Sequence, residues 1–317
     1  MTFRSLGNSG LEVAPLALGG NVFGWTIDEA ASFRVLDAFI DAGFNLIDTA
    51  DVYSRWKPGN QGGESETILG RWFRQRPGVR DKVVLATKVG MDLGEGKSGL
   101  TKQHILAAVE ASLARLQTDR IDLYQAHKDD PSTSLRATLE AFTTLVEQGQ
   151  VRAIGASNYS AARLDEALTI SREDGLAAYT CLQPHYNLAE RALFEGDLEK
   201  VCLAHHVGVI PYYALAAGFL TGKYRSEADL AKSPRGQGSR KYLGERGLGI
   251  LAALDEVAGR VGANPARVAL AWLAARPAIT APIASATTVD QLHDLIAGAT
   301  LTLDPESVAT LDRASAA

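Results

Sequence analysis

Four residues suited to proton transfer stand at or just beyond the ends of short apolar runs. They are Asp48 and Tyr53 in 45-NLIDTADVYS-54, Lys88 closing 83-VVLATK-88, and His127 closing 121-IDLYQAH-127. A tyrosine, with an ordinary pKa near 10, is a poor proton donor at neutral pH and needs a neighbour that stabilises its phenolate. Lys88 fits that part. A unit charge about 4 Å away is worth roughly 4 kcal/mol at an effective dielectric of 20, before desolvation offsets some of it. Asp48 would hold the lysine, and a neutral His127 would donate a hydrogen bond to a carbonyl oxygen. Such a set delivers a proton to an oxygen as negative charge builds there, which carbonyl reduction requires; in reverse it takes a proton from an alcohol. Hydride transfer would need a nicotinamide beside the site. Any one of these residues alone has a plain structural reading, as a helix cap, a surface charge or a satisfied core histidine. The argument rests on the set.

These residues must be brought together by the elements that carry them. Short apolar runs alternate with amphipathic stretches, the signature of parallel βα units. After an N-terminal hairpin (FRSLG-NSG-LEV), strands are expected near 15-PLALG, 44-FNLID, 83-VVLATK, 121-IDLYQAH, 151-VRAIGASN, 179-YTCLQP, 208-GVIPYY and 279-ITAPI. Between them the clearest helix spans 101–117, where Ile105, Ala108, Val109, Ser112, Leu113 and Leu116 share one face and Thr101 is the N-cap. Eight repeats without a Gly/Ser/Pro linker predict one domain over residues 1–317, a closed α/β (β/α)8 TIM barrel with a long insertion at 221–247 after the seventh strand. Barrel enzymes place their chemistry at the C-terminal ends of strands. Ser157 and Asn158 after strand 5, Gln183 in strand 6 and Tyr212 in strand 7 therefore join the candidate mouth.

Composition excludes several classes. The chain has 317 residues, 46% hydrophobic and 22% charged, with net charge −5, so it can bury a large core and lacks the basic balance of a general nucleic-acid binder. The start of the chain has no signal-length apolar core, and the longest apolar run, 209–220, is too short for a bilayer, so a cytoplasmic, non-membrane protein is expected. Cys181 and Cys202 form no CxxC and no metal-spaced cluster.

The motifs 45-NLIDTADVYS-54, 63-GESETILGRW-72, 85-LATKVG-90, 122-DLYQAH-127, 154-IGASNY-159, 182-LQPHYNL-188 and 212-YYALAAGFLTGKY-224 resemble, in order and spacing along the whole chain, those of the aldo-keto reductases. The resemblance implies a (β/α)8 barrel, NADP(H) ahead of NAD(H) bound across its mouth, and reversible reduction of a small-molecule aldehyde or ketone. It implies Tyr53 as general acid, Lys88 and Asp48 as its tuning pair, and His127 as the carbonyl-orienting donor. Ser157, Asn158 and Gln183 would bond the nicotinamide carboxamide, Tyr212 would stack on its ring, and the segment from Ala214 and Leu215 through Gly218, Leu220, Gly222 and Lys223 would wrap the pyrophosphate. Ser285, Thr287, Gln291 and Asp294 would flank the adenosine end. Residues 221–247 carry seven basic side chains against three acidic ones, a local +4 suited to a phosphorylated cofactor.

Two features depart from the family pattern. Ser285, Thr287 and Gln291 are neutral where NADP-selecting members usually carry Lys or Arg, and Ala214 stands where Pro is common. The run 94-GEGKSG-99 matches a dinucleotide fingerprint in letters only, because its glycines lie too far from the strand to form a tight turn. It reads as a βα loop able to edge the substrate pocket, and 64-ESE-66 reads as the acidic first turn of a helix. Phe23, Trp25 and Trp56 are the expected walls of that pocket, suited to apolar or sugar-like carbonyl compounds. Two alternatives remain in view: a sugar or alcohol dehydrogenase working oxidatively, and a cofactor-binding redox sensor that docks onto a membrane channel.

Overall fold

The computed structural model describes residues 2–316. A hairpin of β1 (Arg4–Ser5) and β2 (Glu12–Val13) leads into β3 (Ala17–Gly19), α1 (Glu29–Asp41), β4 (Leu46–Asp48), α2 (Glu64–Gln75) and β5 (Val84–Val89). Then come α3 (Lys102–Leu116), β6 (Ile121–Ala126), α4 (Leu135–Glu147), β7 (Val151–Ser157), α5 (Ala161–Asp174), β8 (Tyr179–Gln183), α6 (Asp197–Ala204) and β9 (Gly208–Val209). The chain ends with α7 (Glu245–Val261), α8 (Pro265–Ala274), β10 (Ile283–Ala284), α9 (Val289–Thr300) and α10 (Pro305–Ser315). Strands β3 to β10 form one parallel sheet in the order β10-β3-β4-β5-β6-β7-β8-β9. Its two edges meet: the Thr280 N–H donates to the Val209 carbonyl at 2.8 Å and the Ile283 N–H to the Pro211 carbonyl at 2.9 Å. The fold is a (β/α)8 barrel.

The two-residue period of the strands separates two cores. Leu46, Val84, Ala86, Leu123, Ala153 and Cys181 point into the barrel, where Leu6, Leu11 and Val13 of the hairpin join them. The alternate residues, Ile47, Leu85, Val89 and Tyr124 among them, pack outward beneath the helices. Continuing each inward row toward the strand's C-terminal end leads from small apolar side chains to Asp48, Lys88, Gln125 and Gln183, so the alternation itself aims the polar residues at one mouth.

The helix at 101–117 forms as its pattern requires, with the expected buried face and with Thr101 accepting from the His104 N–H. The last two barrel strands are much shorter than their apolar runs, because proline cannot donate to a ladder. Pro211 follows β9, leaving only an isolated bridge from Tyr212 to His185. Pro282 precedes β10, and its carbonyl accepts from the Ala17 N–H at 3.0 Å. Residues 221–247 contain 3-10 turns at Glu227–Lys232 and Gly236–Tyr242. Among the described residues no helix is long and apolar enough to cross a membrane.

Candidate active site

Asp48 and Lys88 end inward rows on adjacent strands. The Lys88 Nζ donates to Asp48 Oδ2 at 2.7 Å, to the Thr49 carbonyl at 2.8 Å and to the Tyr53 hydroxyl at 2.8 Å, which uses all three of its protons. The phenol in turn donates to Asp48 Oδ2 at 3.2 Å. Asp48 Oδ1 accepts from Gln183 Nε2 at 2.9 Å and Gln125 Nε2 at 3.3 Å. Lys88 and Asp48 are fully buried, and this saturation is what makes a buried ion pair tolerable. Tyr53 reaches the group from a loop that extends the ladder past β4: Thr49 N–H donates to the Ala86 carbonyl and Asp51 N–H to the Lys88 carbonyl. The loop is pinned by buried Ser54, whose hydroxyl donates to the Phe23 carbonyl at 2.6 Å. The His127 and Tyr53 ring centroids lie 6.0 Å apart.

Electrostatics keep the proton on the phenol. Burial, then the Asp48 charge, push the Tyr53 pKa well above its ordinary value. The sequence predicts a phenol acidified by Lys88; here the carboxylate beside it and the loss of water outweigh the ammonium. Burial also lowers Lys88, against the opposing pull of Asp48. His127 is pushed well below its ordinary value by burial and by the Lys88 and Lys128 charges, so its imidazole is neutral. Its Nδ1 is buried without a hydrogen-bond partner among the described residues.

A cavity of about 890 Å³ runs from Asp48, Tyr53 and His127 past Ser157, Asn158, Gln183 and Tyr212, along Ala214, Leu215 and Gly218, to Lys223 and then Ser285, Thr287, Gln291 and Asp294. Tyr212 donates to Asn158 Oδ1 at 2.8 Å, and Asn158 Nδ2 donates to the His127 carbonyl and to Ser157 Oγ. The backbone at Ala216, Ala217 and Gly218 is left-handed, curving the chain around the cavity wall. At the far end Asp294 is paired with Arg267 and Gln291 accepts from Thr287.

Five expected residues do not line this cavity, and one of them is Lys88, fully buried behind Asp48 and Tyr53. Phe23 is completely buried beneath the loops, where its own carbonyl accepts from Ser54, and Leu220 is likewise buried in the outer core. Gly222 caps a 3-10 turn just behind the wall. Trp25 stands behind Trp56, edge to face at 5.5 Å, while Trp56 forms the wall itself. No residue of the 94–99 run lines the cavity, contrary to the expectation that this loop edges the pocket; Met91, ahead of it, does. The 64–66 acids fall in the first turn of α2, and Glu66 is buried, accepting from Thr87 and Arg115.

Two residues emerge only in three dimensions. Gln125 completes the Asp48 cradle; its signal in the sequence is a polar residue inside an apolar strand, on the His127 face. Arg235 is more consequential. Of the seven basic residues in 221–247, Arg225, Lys232, Arg240 and Lys241 pair with Asp255, Asp229, Glu227 and Glu190. Arg246 donates to the Ala189 and Ser315 carbonyls. Lys223 and Arg235 have no carboxylate partner among the described residues, and both line the cavity. Paired charges hide which cations are free until the fold is known.

The sequence model of the Aldo/keto reductase family matches residues 15–316. The chain is 36% identical to an uncharacterized oxidoreductase, YrpG, of Bacillus subtilis, over 98% of this chain and 95% of that protein. It is 32% identical to the Protein tas of Escherichia coli over 98% of this chain and 97% of that protein. It is 30% identical to a probable voltage-gated potassium channel subunit beta of Arabidopsis thaliana, over 93% of this chain and 90% of that protein. With barrel, mouth and family match in agreement, the chain belongs to the aldo/keto reductase family.

Proposed function

We propose that this protein reduces aldehyde or ketone carbonyls to alcohols with a nicotinamide cofactor, NADP(H) ahead of NAD(H), and that Tyr53 is the general acid. The observation that carries the reading is the pair of uncompensated cations, Lys223 and Arg235, on one extended cavity whose other end is the Tyr53–Lys88–Asp48 group. The cavity suits an extended dinucleotide. Its cations would take the pyrophosphate, and the Ala216–Gly218 turn allows close backbone approach. Ser157, Asn158 and Gln183, all on the cavity wall, offer a carboxamide its partners. Ser285, Thr287 and Gln291 give the adenosine end hydroxyls and an amide in place of fixed charge. The nicotinamide supplies the hydride when bound.

The protein's own residues handle the proton. Neutral His127 donates a hydrogen bond to the carbonyl oxygen and sets its position. As charge builds on that oxygen, Tyr53 passes it the phenolic proton. The phenolate left behind accepts a hydrogen bond from Lys88, whose ammonium Asp48 holds in place, and the Gln125 and Gln183 amides keep Asp48 from rotating. The sequence of transfers runs backward for alcohol oxidation.

The test is a fluorescence titration with NADPH and, separately, NADH, followed by single-turnover mixing with 4-nitrobenzaldehyde. Tight NADPH binding and rapid oxidation are expected. Lys88→Met should lower turnover by at least about 100-fold and leave the cofactor Kd within severalfold; equal loss of both would remove lysine from its assigned part. A second reading, a cofactor-holding subunit that docks onto a partner, is favoured by the similarity to the Arabidopsis protein named as a channel subunit. It predicts cofactor that copurifies and exchanges over hours without aldehyde-driven oxidation.

A further inference from the structure

The Tyr212 ring forms part of the cavity wall, and its long axis is fixed at both ends. At the backbone end the Tyr212 N–H donates to the Pro184 carbonyl at 2.9 Å, and an isolated parallel bridge pairs the residue with His185. At the far end the hydroxyl donates to Asn158 Oδ1 at 2.8 Å, and Asn158 Nδ2 donates in turn to the His127 carbonyl at 2.9 Å. Both anchors lie on the line through Cβ, Cγ and the hydroxyl oxygen. They leave the ring free to turn about that line, and this torsion is a broad one in tyrosine.

His185 stops the rotation. Its imidazole stacks on the Tyr212 ring with centroids 5.2 Å apart and planes inclined by 22°. The imidazole is not part of the cavity wall, so it backs Tyr212 instead of sharing the pocket. Its Nε2 is buried without a hydrogen-bond partner among the described residues, and burial holds its pKa below the ordinary value, so neither a bond at that nitrogen nor a charge accounts for its place. Ring contacts do: Tyr213 meets it edge-on at 5.3 Å. The chain just beyond it is tied to the same strand end, because fully buried Asn187 accepts from the Ala189 N–H at 2.8 Å and donates to the Tyr213 carbonyl at 2.9 Å. A cross-strand aromatic pair of this kind fixes a plane as well as a position.

Resting on the cofactor reading above, we propose that His185 is a positioning residue that holds the plane of the Tyr212 ring as a platform for the nicotinamide. The flat face of the imidazole is what matters, since an aliphatic side chain would fill the same space without fixing a plane. Its influence is confined to one end of the cavity, with Ser285, Thr287 and Gln291 standing at the other.

The experiment titrates the wild type, His185→Ala, His185→Phe and His185→Leu with NADPH and with adenosine 2′,5′-bisphosphate, which carries the adenosine end alone. Losing the imidazole should raise the NADPH Kd about tenfold and leave the bisphosphate Kd within about twofold. Phenylalanine should restore NADPH binding to within about threefold of the wild type, and leucine should not. An unchanged NADPH Kd in His185→Ala would overturn the brace, and so would equal weakening of both ligands. Rescue by leucine as complete as by phenylalanine would also overturn it, because the residue would then only fill space. A wild type that binds NADPH without reducing 4-nitrobenzaldehyde would strike the reductase reading alone, and the binding series would still decide the brace. A wild type that binds no NADPH would remove the platform along with the cofactor reading.

Discussion

At the scale of single residues, the least expected group is Asp51. It is buried, both its carboxylate oxygens lack partners among the described residues, and so does the nearby Tyr124 hydroxyl. Burial, then the charge of Glu66, raise its pKa to about 8, against the weaker opposing pull of Arg115 and Lys88. Asp51 is therefore an uncharged acid at neutral pH. A raised carboxyl pKa favours folding below the ordinary value of 3.8 and loses that advantage as pH rises through about 8. Asparagine cannot ionise. The Tm of Asp51→Asn should gain on the wild type from about pH 4 and level off above about pH 8, reaching on the order of 5 °C, by thermal melts across that range. A difference constant with pH would show that Asp51 is already charged. Residues differ in how far the sequence exposes them. Asp48, Lys88 and His127 were legible because each interrupts an apolar run at its end. Arg235 was not, since a free cation among paired ones looks ordinary until its neighbours are placed.

At the scale of elements, α2 and α3 are held against one another near the site. Glu66 of α2 accepts from Arg115 of α3 at 2.7 Å and from Thr87 at 2.6 Å, joining both helices to the strand that carries Lys88. The approach depends on Gly70. A Cβ there would lie 2.1 Å from the Arg115 carbonyl oxygen and 2.8 Å from the Leu116 carbonyl carbon, both backbone atoms that cannot swing away. Gly70→Ala should cost roughly 1–3 kcal/mol and lower Tm by about 5 °C. A loss below about 1 °C in differential scanning would mean that the helices separate freely. The helices were the most legible elements: α3 shows its buried face and its cap directly in the order of its residues. Strands β9 and β10 were harder to bound, because apolarity extends across Pro211 and Pro282 while hydrogen bonding does not.

At the scale of the whole molecule, the hairpin plug and the candidate site occupy opposite ends of the barrel. The hairpin closes the N-terminal end: Leu6, Leu11 and Val13 fill the barrel interior, and Arg4 donates to the Ala274, Ile279 and Thr280 carbonyls. Gly7, with φ of 55°, presses so close that a Cβ would lie 2.1 Å from the Thr180 carbonyl oxygen. The Asp48–Lys88–Tyr53 group sits at the other end, where the inward rows turn polar. Between the two lies a layer of packed apolar side chains, so a cavity made at the bottom need not move Lys88 or Tyr53. Leu6→Ala should cost roughly 2–4 kcal/mol through lost burial and residual void, lowering Tm by on the order of 8 °C. Below its melting range the variant should bind NADPH with a Kd within about twofold of the wild type, because sites this far apart without shared partners act independently. Melting curves and fluorescence titration on the same preparations read both quantities. A Kd that rises along with the loss of Tm would show that the interior transmits strain from plug to mouth, and that the barrel works as one cooperative unit.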